Sequence, residues 1–127
     1  MTAEEIYETA LYLAEKTDDS NGFIDNEYKN AHKQRALEII RQSIIKIAAT
    51  ENINIITPEK LEYTDEIRLP VYILKTVIPC YVAAMLCRSD GEEENYNLLI
   101  YEYQQGLCTI KHDEEAPEVS HVLEGLV

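Results

Sequence analysis

Apolar side chains recur at three- and four-residue spacing in four stretches of this chain, with polar residues opposite them, the pattern of amphipathic helices. Thr2 and Glu5 form a capping box ahead of Ile6, Ala10, Leu13 and Ala14, which predicts a first helix from about Ala3 to Lys16. Asp18-Asp19-Ser20-Asn21-Gly22 ends it. A second helix is predicted from about Asn26 to Ala49, with a stripe of Leu37, Ile40, Ile44, Ile47 and Ala48 opposite Arg35, Glu38, Gln42 and Lys46. Ile39 and Ile45 fall outside that stripe, so this helix presents a wide apolar arc that calls for more than one neighbour, either other helices or another subunit.

From Glu51 to Leu69 the helical period is lost. Ile53, Ile55 and Ile56 are β-branched, Thr57-Pro58 turns the chain, and Asp65-Glu66-Ile67-Arg68-Leu69-Pro70 reads as extended, which predicts a loop or a short hairpin. A third helix is predicted from Pro70 to about Ser89, carrying Val71, Leu74, Ile78, Tyr81 and Met85. Its other faces are apolar too, which places it at the centre of a bundle, and Pro79 is expected to kink it by removing one backbone hydrogen bond. Ser89-Asp90-Gly91 turns the chain, and Glu92-Glu93-Glu94 puts negative charge at the start of a fourth helix. That helix runs through Tyr96, Leu99, Ile100, Tyr103 and Leu107 to about Lys111. Beyond Pro117, Val119, Val122, Leu123, Leu126 and Val127 leave an apolar end, which either folds back on the bundle or docks on a partner.

The pattern therefore predicts an all-α, four-helix bundle-like domain over residues 1–111, with a loop or short β-hairpin between helices 2 and 3, and an apolar C-terminal tail over residues 112–127. The 127-residue length suits one such core without metal or disulfide. The start of the chain has no basic region followed by an apolar run, and the longest apolar run, Val71 to Cys87, is interrupted by Lys75 and Pro79. The expectation is an intracellular chain with no membrane span. Cys80 and Cys87, seven apart on one helix, are too distant to bridge and are expected as buried thiols.

Charge changes the picture. Twenty-four acidic against eleven basic residues give a net charge of −13, which argues against a nucleic-acid clamp. The charge is uneven: −7 over residues 1–27, +4 over 28–48, −1 over 49–88 and −9 over 89–127. The second helix is thus the one basic element, with Lys29, Lys33, Arg35, Arg41 and Lys46 facing either acidic neighbours in the same chain or a partner.

Candidate chemistry is sparse. Thr17 to Tyr28 resembles a calcium-binding EF-hand loop at Asp19, Asn21, Gly22, Ile24 and Asp25. Thr17 and Tyr28 occupy the two end positions where carboxylates are needed, so the segment is read as a Gly-centred turn. Cys108 and His112 stand four apart, with His121 further on, but nothing completes a zinc site. The acidic runs at Glu92–Glu94 and Asp113–Glu115 single out no tuned acid and base, and no nucleophile elbow, P-loop, dinucleotide or zinc-protease motif is present. The sequence accordingly predicts no catalytic, cofactor-binding or metal site, and no enzyme. Nine tyrosines stand against one phenylalanine; Tyr12, Tyr81, Tyr96 and Tyr103 fall at core-like positions, in a residue type also favoured at interfaces.

Several segments together resemble one family. These are Tyr28-Lys29-Asn30-Ala31-His32-Lys33-Gln34-Arg35-Ala36-Leu37, then Asp65-Glu66-Ile67-Arg68-Leu69-Pro70, then Val77-Ile78-Pro79-Cys80-Tyr81-Val82-Ala83-Ala84-Met85-Leu86. Asp90-Gly91-Glu92-Glu93-Glu94 and Tyr96-Asn97-Leu98-Leu99-Ile100-Tyr101-Glu102-Tyr103 complete the set. From about Ile6 to Leu107 the chain resembles the small head–tail connector (head-completion) proteins of tailed bacteriophages and prophages. In that family an acidic loop leads into a helix with a Pro-Tyr-x-Ala-Ala core, followed by an acidic turn and a Tyr-rich helix. Cys80 stands where an aromatic residue is more usual, and the tail after Lys111 is longer and more acidic than in the simplest members. The resemblance implies a non-enzymatic virion protein that assembles in the host cytoplasm and self-associates into a ring, commonly of twelve copies. Its partners would be the portal protein and a tail-side completion protein, with DNA passing through the channel without specific binding. It also implies that the helices form the ring body and that the tail from Val119 meets the portal. A different class of function shares the composition: a small acidic adaptor or regulatory bundle that binds a single protein.

Overall fold

The computed structural model describes residues 1–52 and 57–115, with side chains up to residue 110. The chain is all-α, and the described residues hold no β-strand. Helix α1 spans Ala3–Leu13 and begins as its capping box directs: Thr2 Oγ1 accepts from the Glu5 N–H at 3.2 Å, while Glu5 Oε1 accepts from the Thr2 N–H at 3.0 Å. It stops three residues short of Lys16. The Lys16 N–H reaches back to the Leu11 carbonyl and the Glu15 N–H to that of Tyr12, a Schellman termination with Glu15 at φ 58°. The inward face also differs from the expected one. Ala3, Ile6, Tyr7, Ala10, Leu11 and Ala14 are buried, whereas Leu13 and Tyr12 are 39% and 49% exposed. Tyr7 takes the core place because its hydroxyl finds a half-buried acceptor, the Lys29 carbonyl, at 2.8 Å.

The predicted second helix is two helices. Asp25 caps α2, Asn26–Ala31, by accepting from the Glu27 and Tyr28 N–H groups. At His32 the backbone leaves the helical range (φ −108°, ψ 8°), and α3 follows as Lys33–Thr50. The expected stripe of Leu37, Ile40, Ile44, Ile47 and Ala48 is buried, joined by Ala36 and by Ser43, whose hydroxyl donates to the Ile39 carbonyl. Ile39 packs half-buried against the core and Ile45 is exposed.

In the connection that follows, Leu61, Ile67 and Leu69 are buried, and the described part lies along the start of the chain. The Ala3 and Glu4 N–H groups donate to the Asp65 and Tyr63 carbonyls, and the Ile67 N–H donates to that of Met1. These bonds and one isolated bridge, Thr2 with Glu66, are its regular pairing among the described residues.

The central helix begins at Val71, passes through a π-helical turn at Ile73–Val77, and continues as α4, Ile78–Ser89. Pro79, which lacks an N–H, is accommodated by this widened turn, in which the Ile78 N–H bonds five residues back to the Ile73 carbonyl. The extra residue in the turn rotates everything before it by about 100° relative to an unbroken α-helix. That rotation accounts for Val71, expected on the buried stripe, being 64% exposed while Ile73, Leu74 and Val77 are buried. From Ile78 to Cys87 burial runs nearly all round, and α4 touches α1, α3 and α5, the central position its composition predicts.

A second Schellman turn, with Gly91 at φ 75° and the Glu92 N–H on the Cys87 carbonyl, sends the chain back into α5, Glu93–Glu115. This helix passes beyond the expected end at Lys111. It runs antiparallel to α4, pairing Tyr103 with Tyr81 at 4.9 Å between ring centroids and setting Gly106 beside Val77. The apolar tail from Val119 lies outside the described residues.

Candidate functional site

The loop with EF-hand spacing is a short turn in which the Asp18 and Asp25 carboxylates bond to nearby backbone. Asp18 Oδ1 accepts from the Ser20 N–H and hydroxyl, which holds its carboxyl below the usual range, and Asn21 accepts from the Phe23 N–H. Gly22, at φ 75°, supplies the left-handed position, Thr17 bridges Ile24, and Asp25 is committed to capping α2. Among the described residues no three His, Cys, Asp or Glu side chains converge as metal ligands. Cys108 is exposed on α5, and the side chain of its proposed companion His112 lies outside the described residues.

Cys80 and Cys87 are buried thiols, as their spacing predicts. Burial, then the Glu102 carboxylate 3.8 Å from Cys80 Sγ, pushes the Cys80 thiol up to about 11, so it is no nucleophile near neutrality.

The basic residues on α2 and α3 reach partners in their own chain. Lys29 lies 3.3 Å from Glu4 and 3.6 Å from Glu8 of α1, and Lys33 sits 4.1 Å above the Tyr63 ring. Arg35 donates to the Ser89 hydroxyl, Arg41 chelates Glu38, and Lys46 lies 5.6 Å from the Tyr81 ring centre. The bidentate Arg41 fork drives the exposed Glu38 carboxyl down to about 2.

A denser node, not anticipated from the sequence, forms around Lys16. Its ammonium, 10% exposed, is 2.8 Å from Asp90, touches Glu92, and lies 5.1 Å from the Tyr28 ring centre; the Tyr28 hydroxyl donates to the same Asp90 at 2.7 Å. Burial alone would lower the Lys16 pKa, but the two carboxylates outweigh it and hold it above its ordinary value. The converse is true of Asp90, where burial is outweighed by the bonds from Lys16 and Tyr28 and the pKa falls. The node ties the end of α1 to α2 and to the α4–α5 turn. A lone lysine after an acidic helix carries no periodic signal, so only the closed Schellman turn reveals where it points.

Two grooves remain. One of about 320 Å3 lies between Ile44 of α3 and the 57–68 segment. The other, about 270 Å3, lies between the C-terminal half of α3, at Lys46, Ile47, Thr50 and Glu51, and α5, at Tyr103, Leu107 and Cys108. The outer face of α5 exposes Leu98 (66%) and Tyr101 (61%), and Phe23 stands out on the Gly22 turn. Among the described residues no helix is long and apolar enough to cross a membrane. No protein-family model, no curated protein and no solved structure matches this chain.

Proposed function

We propose that this chain is a subunit of a bacteriophage head–tail connector, a non-enzymatic ring beneath the portal that extends the DNA channel and joins head to tail. The observation that carries the reading is the placement of the connector-like segments. The Asp65–Pro70 loop feeds directly into the central helix with its Pro79-Cys80-Tyr81 stretch, and the acidic turn at Asp90–Glu94 returns the chain antiparallel along that helix. The Tyr81–Tyr103 pair sits where the Val77–Leu86 and Tyr96–Tyr103 segments meet. In this reading the principal helices act as a four-helix bundle-like ring body, and the apolar residues from Val119 supply the portal contact. The net charge of −13 supports a channel wall past which DNA slides rather than binds.

The test is to mix the purified protein with the portal protein encoded in the same genome and examine the product by electron microscopy and light scattering. A closed ring of density added to one end of the portal is expected. No association at micromolar concentration refutes the assignment and leaves an acidic helical adaptor, whose partner is then sought by pull-down.

A further inference from the structure

We propose that residues 65–68 form an open strand edge on which an extended segment of a partner protein docks, its apolar side chains in the adjoining groove and a carboxylate beside Arg68. The inference does not depend on the connector reading. Thr2 and Glu66 form an antiparallel bridge whose bonds are made by their neighbours: the Ala3 N–H donates to the Asp65 carbonyl, and the Ile67 N–H to that of Met1. In a pair of this kind the N–H and carbonyl of the two bridged residues point away from each other. The backbone groups of Glu66 therefore face outward, and those of Arg68, two residues on, face the same way. Among the described residues none of these four groups has a hydrogen-bond partner, and both residues are exposed.

The groove beside this edge selects the occupant. All four residues of the run line its volume of about 320 Å3, and Ile44, Leu61 and Ile67 are its apolar floor. A strand added antiparallel to the edge sends alternate side chains to opposite faces. Those on the face of Ile67 enter the groove, and those on the other face stand beside the side chains of Glu66 and Arg68. Charge decides what fits there. Asp65 accepts from the Glu62 N–H at 2.9 Å and Glu66 pairs with the Met1 ammonium, so both carboxylates of the groove are engaged. Arg68 has no carboxylate partner among the described residues. The complementary segment thus alternates apolar residues with a carboxylate opposite Arg68 and a neutral residue opposite Glu66. A docked helix would leave the edge unanswered, because its own N–H and carbonyl groups are already bonded to each other.

The probe is a blocked peptide, Val-Asp-Val-Thr-Val, which in antiparallel register sets Asp opposite Arg68 and Thr opposite Glu66. Its control, Asp-Thr-Val-Val-Val, has the same composition without the alternation. Amide exchange and amide chemical shifts of the full chain are followed by NMR. In the free protein the Glu66 and Arg68 amides are expected to exchange fast and the Ile67 amide slowly. At ~1 mM the alternating peptide is expected to shift the Glu66 and Arg68 amides and slow their exchange at least about twofold, and the control to do neither. Arg68→Glu removes no contact within the chain; it should weaken binding of the Asp peptide about threefold and favour Val-Lys-Val-Thr-Val instead. Glu66 and Arg68 amides already protected in the free protein would show the edge filled by this chain or a second copy, and overturn the proposal. So would no response to the alternating peptide at ~1 mM, or an equal response to the control.

Discussion

The two Schellman turns make a matched pair with opposite faults, and exchanging their residues has a calculable effect. Both place one residue in the left-handed region: Gly91 at φ 75° after α4, and Glu15 at φ 58° after α1. An L-residue pays about 1–2 kcal/mol for that conformation, and glycine adopts it freely at the expense of a more flexible unfolded chain, so the net difference is about 1 kcal/mol in each case. Glu15→Gly is expected to stabilise the protein by about that amount, which for a domain of this size raises Tm by roughly 3–5 °C. Gly91→Ala is expected to destabilise it by about the same. A Cβ at Gly91 meets nothing within 4 Å, so no steric term confuses the backbone one. Because Glu15 also carries charge in an acidic chain, Glu15→Gln serves as the control and is expected within about 0.5 kcal/mol of the parent. Urea and thermal unfolding of the three variants provide the assay. A Glu15→Gly protein no more stable than Glu15→Gln would refute the argument from backbone strain.

The Lys16 node contributes to both the acid and the alkaline limb of stability. Lys16→Met leaves Asp90 and Glu92 facing each other, and because these carboxylates are partly solvated the expected loss is about 2 kcal/mol, below the ~3–5 of a fully buried pair. Asp90, whose folded pKa is depressed, contributes stability that is present above its ordinary value of 3.8 and is lost as pH falls through the folded pKa. Asp90→Asn should therefore flatten the acid limb of a stability–pH curve. Lys16, raised, contributes stability present below 10.5 and lost as pH climbs through its folded pKa, so Lys16→Met should flatten the alkaline limb. Gly106→Ala places a Cβ 3.1 Å from Val77 Cγ2 in the packed seam between the π-helical turn and α5; crowding outweighs the gain in helix propensity, and a loss of about 1 kcal/mol is expected by urea titration. Tyr7→Phe leaves the Lys29 carbonyl without its donor and should cost about 1–2 kcal/mol with the helical circular dichroism unchanged.

Where the sequence speaks through periodicity or a local cap, the structure follows it. The Thr2–Glu5 box, the Leu37-Ile40-Ile44-Ile47 stripe, the all-round apolar central helix and the Gly91 turn each depend on residues within one or two turns of one another. Features set by tertiary structure were not legible. The first helix carries aliphatic residues on two faces, and the choice of Tyr7 and Leu11 over Leu13 rests on an acceptor 22 residues away. The break at His32 has no glycine or proline to announce it; it accompanies stacking of His32 on Tyr28, with centroids 4.1 Å apart, and the tethering of Tyr28 to Asp90. Pro79 signals a lost hydrogen bond, but kinked α-helix and π-turn leave the same trace in a one-dimensional pattern; the bond from the Ile78 N–H to the Ile73 carbonyl and the exposure of Val71 tell them apart. The candidate surfaces were legible as an excess, in Ile45 and the tail, and not as places, because a groove is a property of two helices.

The engagement of the basic residues bears on how a ring of this subunit would hold together. A closed ring needs two different complementary faces on each copy, and the +4 stretch over residues 28–48 set against acidic flanks is one way to supply them. Lys29, Lys33, Arg35, Arg41 and Lys46 are already occupied by Glu4 and Glu8, Tyr63, Ser89, Glu38 and Tyr81, so a neighbour's carboxylates would have to displace these partners. Each added copy meanwhile brings a net charge of −13 to a crowded circle. In such a ring cohesion would then fall to exposed apolar groups such as Leu98, Tyr101 and Phe23, working against electrostatic repulsion. Raising salt from about 0.15 M to about 1 M shortens the Debye length from ~8 Å to ~3 Å and screens that repulsion while leaving apolar contact intact. Association of subunits, followed by light scattering or sedimentation in the presence of the portal, is expected to strengthen over that range. Charge reversal at Lys33 and Arg35 should change it little beyond its effect on folding. Weakening of assembly with salt, together with its loss on reversal at those two positions, would instead assign the ring contact to the basic helix and refute the apolar account.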